Sequence, residues 1–209
     1  RITILGSQLP IGLNLEDYVL YFRLSIPTDV RLHVASNSNE NDFLFIDSDE
    51  QTVLPHEIEY FDNITGDMYA WVKIYNLVSG VDKDIWLYYG HDNISNTQNL
   101  RETWSKYFAV YHLNTSPLLP QPQVFDSTMN DNLMRAYGFT SSDFRDSLIY
   151  KGYYFDRIDN FCLSEKNYSY GGWRSISVEA FINKPSNSND EMIIGQHGGN
   201  DVSEGGAWY

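Results

Sequence analysis

The sequence predicts an all-β fold of two antiparallel β-sandwiches, a small sandwich followed by a partial jelly roll. Aromatic residues make up 15% of the 209 residues, with 16 Tyr, 11 Phe and 5 Trp, and such side chains favour strands. Short segments alternate apolar and polar residues, which is the period of a half-buried strand. Asn, Asp, Ser, Gly and Pro separate these segments, as the turns of a sandwich require.

Six segments in the first half of the chain have the length and alternation of strands. They are residues 1–5, 18–26, 43–46, 57–61, 68–75 and 84–90. One face of the segment 68–75 is apolar and is predicted to be buried: Met68, Ala70, Val72 and Ile74. The opposite face carries the aromatic residues Tyr69, Trp71 and Tyr75. We expect that aromatic face to cover a sheet edge or to meet a neighbouring domain.

Residues 97–106 break the alternation and divide the chain. Leu100 and Trp104 are spaced as on one helical face, and Thr97 is available as a helix cap. We therefore predict a small sandwich over residues 1–96, a short helical linker over 97–106 and a truncated jelly roll over 107–209. The predicted strands of the jelly roll cover residues 108–113, 148–155, 176–182 and 192–195.

The charge, the length of the apolar runs and the cysteine content limit the partners and covalent links that the chain can have. The formal net charge is −14, with 28 acidic and 14 basic residues, which would repel a phosphate backbone and excludes nucleic acid as a partner. No apolar run approaches the roughly 20 residues of a membrane helix, so no membrane insertion is predicted. The single cysteine, Cys162, has no partner for an internal disulfide and is interpreted as a small buried hydrophobe.

Four blocks in the first half carry a resemblance to a known family. They are residues 42–49, 54–59, 70–74 and 86–90. In order and spacing the blocks resemble domain of unknown function 2341, which is found in bacterial, archaeal and viral surface proteins. No activity is assigned to that family. The resemblance therefore implies an extracellular, cell-surface or virion-surface setting rather than a chemistry.

Four further blocks resemble the opening of a laminin-G or concanavalin A-like lectin domain. They are residues 110–113, 126–130, 154–160 and 175–182. Arg157 stands where that family usually has Gly, so the turn there is expected to differ. The resemblance stops about halfway through the expected sandwich, which would leave open sheet edges. We therefore expect the chain to be part of a longer protein.

Members of the lectin-like family often hold calcium at a sandwich edge, and the resemblance implies calcium as the cofactor here. Asp126 with Asn130, and Asp156 with Asp159, match acidic loop positions in the family's blocks. Carboxylate and amide oxygens on loops are the ligands that calcium takes. The alternative interpretation is that these are ordinary turn residues whose side chains bond to nearby backbone.

An aromatic loop supplies a candidate site for a glycan. Tyr168, Tyr170 and Trp173 lie in a glycine-rich stretch that would expose them. A pyranose has an apolar face that stacks on such rings, while its hydroxyl groups need hydrogen-bond partners. The alternative is that Trp173 plugs the end of the sandwich.

The sequence offers no constellation for catalysis. It has no Gly-x-Ser-x-Gly elbow and no phosphate-binding loop, its five histidines share no metal-ligand spacing, and His112 is interpreted as a core histidine bonded to backbone. We therefore predict a non-catalytic adhesion module that binds a glycan or a surface-protein partner. One alternative is a structural spacer or fibre subunit that contacts neighbouring domains or chains. The other is an accessory domain of a secreted glycoside hydrolase.

Overall fold

The structure, a computed structural model, describes residues 1–24, 40–91, 95–166, 175–183 and 194. As predicted, the described part is all-β: ten strands in antiparallel sheets accompany one short α-helix. The chain divides into two compact units, Arg1–Ser169 and Tyr170–Tyr209, and all the described strands belong to the first. Within the described ranges, no helix has the length and apolar character needed to cross a bilayer.

The first sandwich contains two three-stranded sheets. Its strands are β1 (Ile2–Ile4), β2 (Asn14–Leu24), β3 (Leu44–Ile46), β4 (His56–Phe61), β5 (Met68–Val78) and β6 (Lys83–Tyr88). The first sheet has the order β2-β5-β4 and the second sheet the order β1-β6-β3. One hydrophobic core joins Phe22 and Val72 of the first sheet to Phe45 and Ile85 of the second.

The burial pattern of β5 confirms the predicted strand face. Met68, Ala70, Val72 and Ile74 are all fully buried. This follows from the period of two, because alternate side chains of a strand point to the same face of its sheet. The other face of β5, which carries Trp71, is therefore the outer face of the first sheet.

The linker contains the α-helix, and its cap corrects the sequence interpretation. Helix α1 (Leu100–Thr103) lies within the predicted linker 97–106. Its cap is Asn99, whose side-chain oxygen accepts a hydrogen bond from the Glu102 amide at 3.2 Å. Thr97 was predicted for this role, but it lies too far ahead of the first helical turn. Its hydroxyl donates instead to the carbonyl of Phe43.

The rest of the first unit contains two small antiparallel sheets. Their strands are β7 (Met134–Tyr137), β8 (Phe144–Asp146), β9 (Lys151–Tyr153) and β10 (Phe161–Ser164), paired as β7 with β10 and β8 with β9. A second hydrophobic core forms around Val124, Ala136 and Phe139. Cys162 packs against it as a half-buried apolar group, and burial raises the pKa of its thiol to about 12.

One predicted jelly-roll strand is absent and a second is shortened. Residues 108–113 form no strand: the Val110 amide donates to the Asp126 carboxylate at 2.9 Å, and Leu113 has φ of 54°. Strand 148–155 shrinks to β9 because Tyr150, with φ of 53°, turns the chain just before it. A φ in this range ends an extended run.

The prediction of a strand at residues 176–182 is wrong. Residues 175–183 are described, form no strand and are all exposed. An alternating segment becomes a strand only where a neighbour completes the hydrogen-bond ladder, and these residues pair with no other described segment. The strand predicted at residues 192–195 lies outside the described residues, except for Ile194.

Candidate functional site

The outer face of the first sheet carries two glutamates on one strand. Glu57 and Glu59 belong to β4, and Glu57 lies opposite Trp71 of β5 in the ladder. The register shifts between Ile58 and Tyr60, which makes Glu59 the extra residue of a β-bulge. Bulges redirect the side chains that they carry, and here both carboxylates reach the same histidine.

That histidine is His112, which follows the linker. Its Nε2 lies 3.1 Å from Oε2 of Glu57, and its Nδ1 lies 3.1 Å from Oε2 of Glu59. Both ring nitrogens face carboxylate oxygens, so both carry protons and the ring is an imidazolium. The side chains are 9% exposed for His112 and Glu57, and 1% for Glu59. We call Glu57, His112 and Glu59 the carboxylate–histidine cluster.

Other side chains also donate hydrogen bonds to the two carboxylates. Ser127 Oγ donates to Oε1 of Glu57 at 2.8 Å, and the Trp104 indole donates to its Oε2. The Trp71 indole donates to Oε2 of Glu59 at 2.7 Å. Burying a carboxylate is costly unless it is paired and hydrogen-bonded. These bonds supply that compensation.

The cluster shifts the pKa values of its members in opposite directions. Burial is the largest single influence on His112 and favours the neutral ring, but the hydrogen bonds and charges of Glu57 and Glu59 outweigh it and raise the pKa of His112 to about 10. Burial acts to raise the pKa of Glu57. The hydrogen bond and charge of His112, with the bonds from Trp104 and Ser127, prevail and lower it. At neutral pH the His112–Glu57 pair is therefore ionised.

A buried lysine on the same outer face holds the helix. Lys73 Nζ lies 2.7 Å from Oε1 of Glu102 and 2.9 Å from Oγ of Ser105, and its side chain is only 3% exposed. Lys106 forms a second ion pair, at 3.4 Å, with Asp17 of β2. These bonds fix α1 and the residues after it to the first sheet.

Aromatic contacts complete the covering of this face. The ring of Trp71 lies 5.4 Å from that of Trp104, and Tyr60 stacks on Tyr150 with ring centroids 4.0 Å apart. Trp104 and Tyr150 both come from residues after the first sandwich. Trp71 therefore faces the segment that follows the first sandwich.

The cluster corrects the interpretation of His112 and has a structural character. His112 bonds to carboxylates rather than to backbone. A catalytic pair of carboxylates must flank a space that admits substrate, whereas the side chains of Glu57 and Glu59 are buried and bonded to protein donors. The arrangement is suited to bracing two parts of the fold. The sequence signal for a covered surface here is the aromatic face of β5, which carries Tyr69, Trp71 and Tyr75.

Asp126, a predicted calcium ligand, is engaged by protein donors. Its Oδ1 accepts from the amides of Val110, at 2.9 Å, and Thr128, at 3.0 Å. Its Oδ2 accepts from the Thr128 hydroxyl at 2.8 Å and from the Asn132 amide at 2.9 Å. The bonds from the backbone amides of Thr128 and Asn132 are of the kind that the alternative interpretation describes, in which Asp126 organises a turn.

Two of the other predicted ligands, Asn130 and Asp156, also bond to backbone groups. Asn130 donates to the Phe108 carbonyl at 2.9 Å. Oδ1 of Asp156 accepts from the amides of Ile158, at 2.8 Å, and Asp159, at 3.3 Å. Among the described residues, no three His, Cys, Asp or Glu side chains converge as metal ligands. A calcium site at these positions stays a prediction.

The predicted glycan residues Tyr168, Tyr170 and Trp173 lie outside the described residues. The structure offers a different candidate, a depression of about 470 Å³ at one end of the first sandwich. The turn after β3, the end of β5 and the start of β6 enclose it. Its walls include Ser48, Glu50, Asn76, Asp82 and Trp86.

Comparison with known proteins shows a similarity to a family of unknown function. The family described as Domain of unknown function (DUF2341) matches residues 39–131. No curated protein and no solved structure matches the chain. The matched range runs from before β4 to beyond Ser127, so it contains every residue of the carboxylate–histidine cluster. It ends at residue 131, and the lectin-like interpretation of the later residues stays a prediction.

Proposed function

We propose that this chain is a non-catalytic structural module of an extracellular, cell-surface or virion-surface protein, and that it acts as a rigid spacer. The carboxylate–histidine cluster carries the proposal, because it joins β4 of the first sandwich to a histidine beyond the linker. The surface setting is supported by the resemblance of the four sequence blocks in residues 42–90. Partners of such a spacer would be neighbouring domains or chains of the same assembly.

Rigidity is the property that the cluster favours. Separating a buried ion pair leaves each charge buried without its partner, which is strongly unfavourable. Sliding or opening of the interface between β4 and His112 would therefore be strongly disfavoured. The bonds of Lys73 and the stacking of Tyr60 on Tyr150 add constraints at two other points of the same face. A hinge between the two parts would have to break all three.

The distance between two spin labels tests this proposal. One label is placed on the first sandwich by Glu50→Cys and one on the later segment by Asp146→Cys, in a Cys162→Ala background. Both labelled positions are exposed. We expect a single narrow distance distribution, and we expect Glu57→Gln to broaden it because the variant removes a charge from the cluster.

The control places both labels in the first sandwich, at Glu50→Cys and Ile64→Cys, which are also exposed. Its distribution should stay narrow with and without Glu57→Gln. A broad distribution for the first pair in the otherwise unchanged protein would overturn the rigid-spacer proposal. Antibody labelling of intact cells or particles tests the surface setting separately.

A specific observation favours adhesion as the second candidate function. The depression beside Trp86 is concave and combines an aromatic ring with carboxylates, which is what a module that binds a glycan would present. The predicted roles of Tyr168, Tyr170 and Trp173, and of calcium, belong to this candidate. An accessory role in a glycoside hydrolase stays a prediction, with no observation among the described residues in its favour.

A further inference from the structure

We propose that the depression beside Trp86 binds neutral saccharides, with a pyranose ring stacked on the indole. The proposal rests on the adhesion candidate and is independent of the rigid-spacer proposal. It assigns a different site from the aromatic loop predicted by sequence, because the depression is built entirely from residues 48–86.

The platform is the outer face of the second sheet. Ile85 and Leu87 of β6 belong to the hydrophobic core, so the residues between and beside them point outward. Those residues include Trp86, which lines the depression, and Tyr88, which lies outside that lining and is 52% exposed. Two such rings are roughly 7 Å apart along a strand, which is about the size of one sugar unit. A stripe of this kind suits stacking against the apolar faces of consecutive sugars.

The polar wall beside the platform is rich in free acceptors. Glu50 and Asn76 are exposed, and their side chains make no hydrogen bond to any other described residue. Asp82 uses Oδ1 to accept from the Gly6 amide at 2.9 Å, which leaves its Oδ2 available. Sugar hydroxyls are donors as well as acceptors, so an acceptor-rich wall is complementary to a neutral polyol.

The charge of the wall excludes acidic ligands. Glu50, Asp82 and Asp84 are acidic. The one basic lining residue, Lys83, is paired with Asp47 at 2.7 Å. Uronic acids, sialic acids and phosphorylated sugars would therefore meet net repulsion. The volume of about 470 Å³ falls in the range of small-ligand sites, and one or two sugar units fill such a space.

The test uses the full chain and defined hexasaccharides. Neutral probes are the linear hexamers of glucose, mannose and N-acetylglucosamine, and the anionic control is the hexamer of galacturonic acid. Each is titrated and followed by amide chemical shifts. We expect at least one neutral hexamer to bind with shifts confined to residues around Trp86, and the galacturonate hexamer not to bind.

Variants test whether Trp86 and Glu50 contribute to saccharide binding. Trp86→Ala should weaken the affinity about tenfold, since it removes a stacking platform. Glu50→Gln, which touches no internal partner, should weaken it roughly threefold and gives a readout even if Trp86→Ala fails to fold. Tyr18→Ala, an exposed aromatic change on the first sheet, is the matched control and should bind as the unaltered protein does.

Any of three results would overturn the proposal. The first is that no neutral hexamer binds at about 10 mM, a concentration well above a weak millimolar Kd. The others are that the galacturonate hexamer binds more tightly than the neutral hexamers, or that both variants fold and keep the affinity of the unaltered protein. Failure here leaves the rigid spacer untouched, because its spin-label distances are measured without any saccharide. A broad label distribution together with saccharide binding would instead leave adhesion as the function.

Discussion

His112 Nε2 lies 3.1 Å from Oε2 of Glu57, and the two residues are 55 positions apart in the chain. The bond therefore joins parts of the sequence that local patterns treat as separate. Since both side chains are buried, each depends on the other for its charged state. The interface after the first sandwich is consequently ionic at its centre and aromatic around it.

The pH dependence of stability follows from these two residues. The pKa of His112 is raised from its ordinary 6.5 to about 10, so its contribution is complete below about pH 6.5 and is lost as the pH rises towards 10. The pKa of Glu57 is lowered from 4.5. Its contribution is present above about pH 4.5 and is lost as the pH falls through the lowered value.

We therefore expect the urea midpoint to be highest between about pH 5 and 6.5 and to fall towards pH 10. His112→Phe should be less stable throughout, and its midpoint should lack most of the alkaline fall. Urea titrations at intervals of one pH unit measure both curves. An identical alkaline fall in the variant would assign the effect to another group.

Lys73→Met should loosen the helix. The variant keeps the apolar stem but loses the bonds to Glu102 and Ser105, which we expect to cost about 1–3 kcal/mol of unfolding free energy. Amide hydrogen exchange in α1 should rise. Lys106→Met is the control, because Lys106 is 67% exposed and its pair should contribute under about 1 kcal/mol. Equal effects of the two variants would contradict the special role of Lys73.

Val72→Asp should abolish cooperative unfolding of the first sandwich. Val72 is fully buried in the middle of the central strand β5, and an unpaired charge there is costly. Asn76→Asp introduces the same side chain at an exposed position of β5 and should change stability by less than about 0.5 kcal/mol. Differential scanning calorimetry distinguishes the two, and a retained transition in Val72→Asp would refute the strand register.

Asp126→Asn should destabilise the protein even when a chelator is present. Four protein donors address the carboxylate, and an amide offers only one acceptor oxygen, so we expect a loss of about 1–3 kcal/mol. Calcium at about 100 times its Kd would add roughly 2.7 kcal/mol to a protein that binds it. A variant that matches the unaltered protein in chelator, and differs only in calcium, would assign Asp126 to the metal.

The first sandwich could be predicted from sequence because its strands obey a local rule. Met68, Ala70, Val72 and Ile74 alternate with polar or aromatic residues, and all four are buried where that alternation places them. The rule needs only a sheet with one core-facing side. It therefore gave the strands and their faces without any knowledge of their partners.

The candidate site could not be predicted, since it depends on which segment covers the outer face. Glu57 and Glu59 alternate with core residues in β4, and this pattern predicts that their side chains are exposed to solvent. Nothing within a few residues of His112 indicates that two glutamates, more than 50 positions earlier, will meet it. The left-handed Leu113 that follows His112 also has no sequence signal, because leucine does not favour that conformation.

The prediction of a later strand was wrong for a related reason. Residues 176–182 alternate apolar and polar side chains as regularly as β5 does. The described segment 175–183 is nevertheless exposed and forms no strand. Periodicity reports which face of a strand would be buried, whereas a strand also requires a paired neighbour. The sequence of the segment does not show whether such a neighbour is present.

Amide hydrogen exchange across a urea series, comparing the unaltered protein with Glu57→Gln, tests most directly whether the cluster makes one folding unit. Strands β5 and β10 report on the two sides. In the unaltered protein both should lose protection at the same urea concentration. In Glu57→Gln, β10 should lose it earlier, after a loss of about 3–5 kcal/mol at the interface, while the exposed control Glu50→Gln behaves as the unaltered protein. Separate midpoints already present in the unaltered protein, or no effect of Glu57→Gln, would contradict the claim.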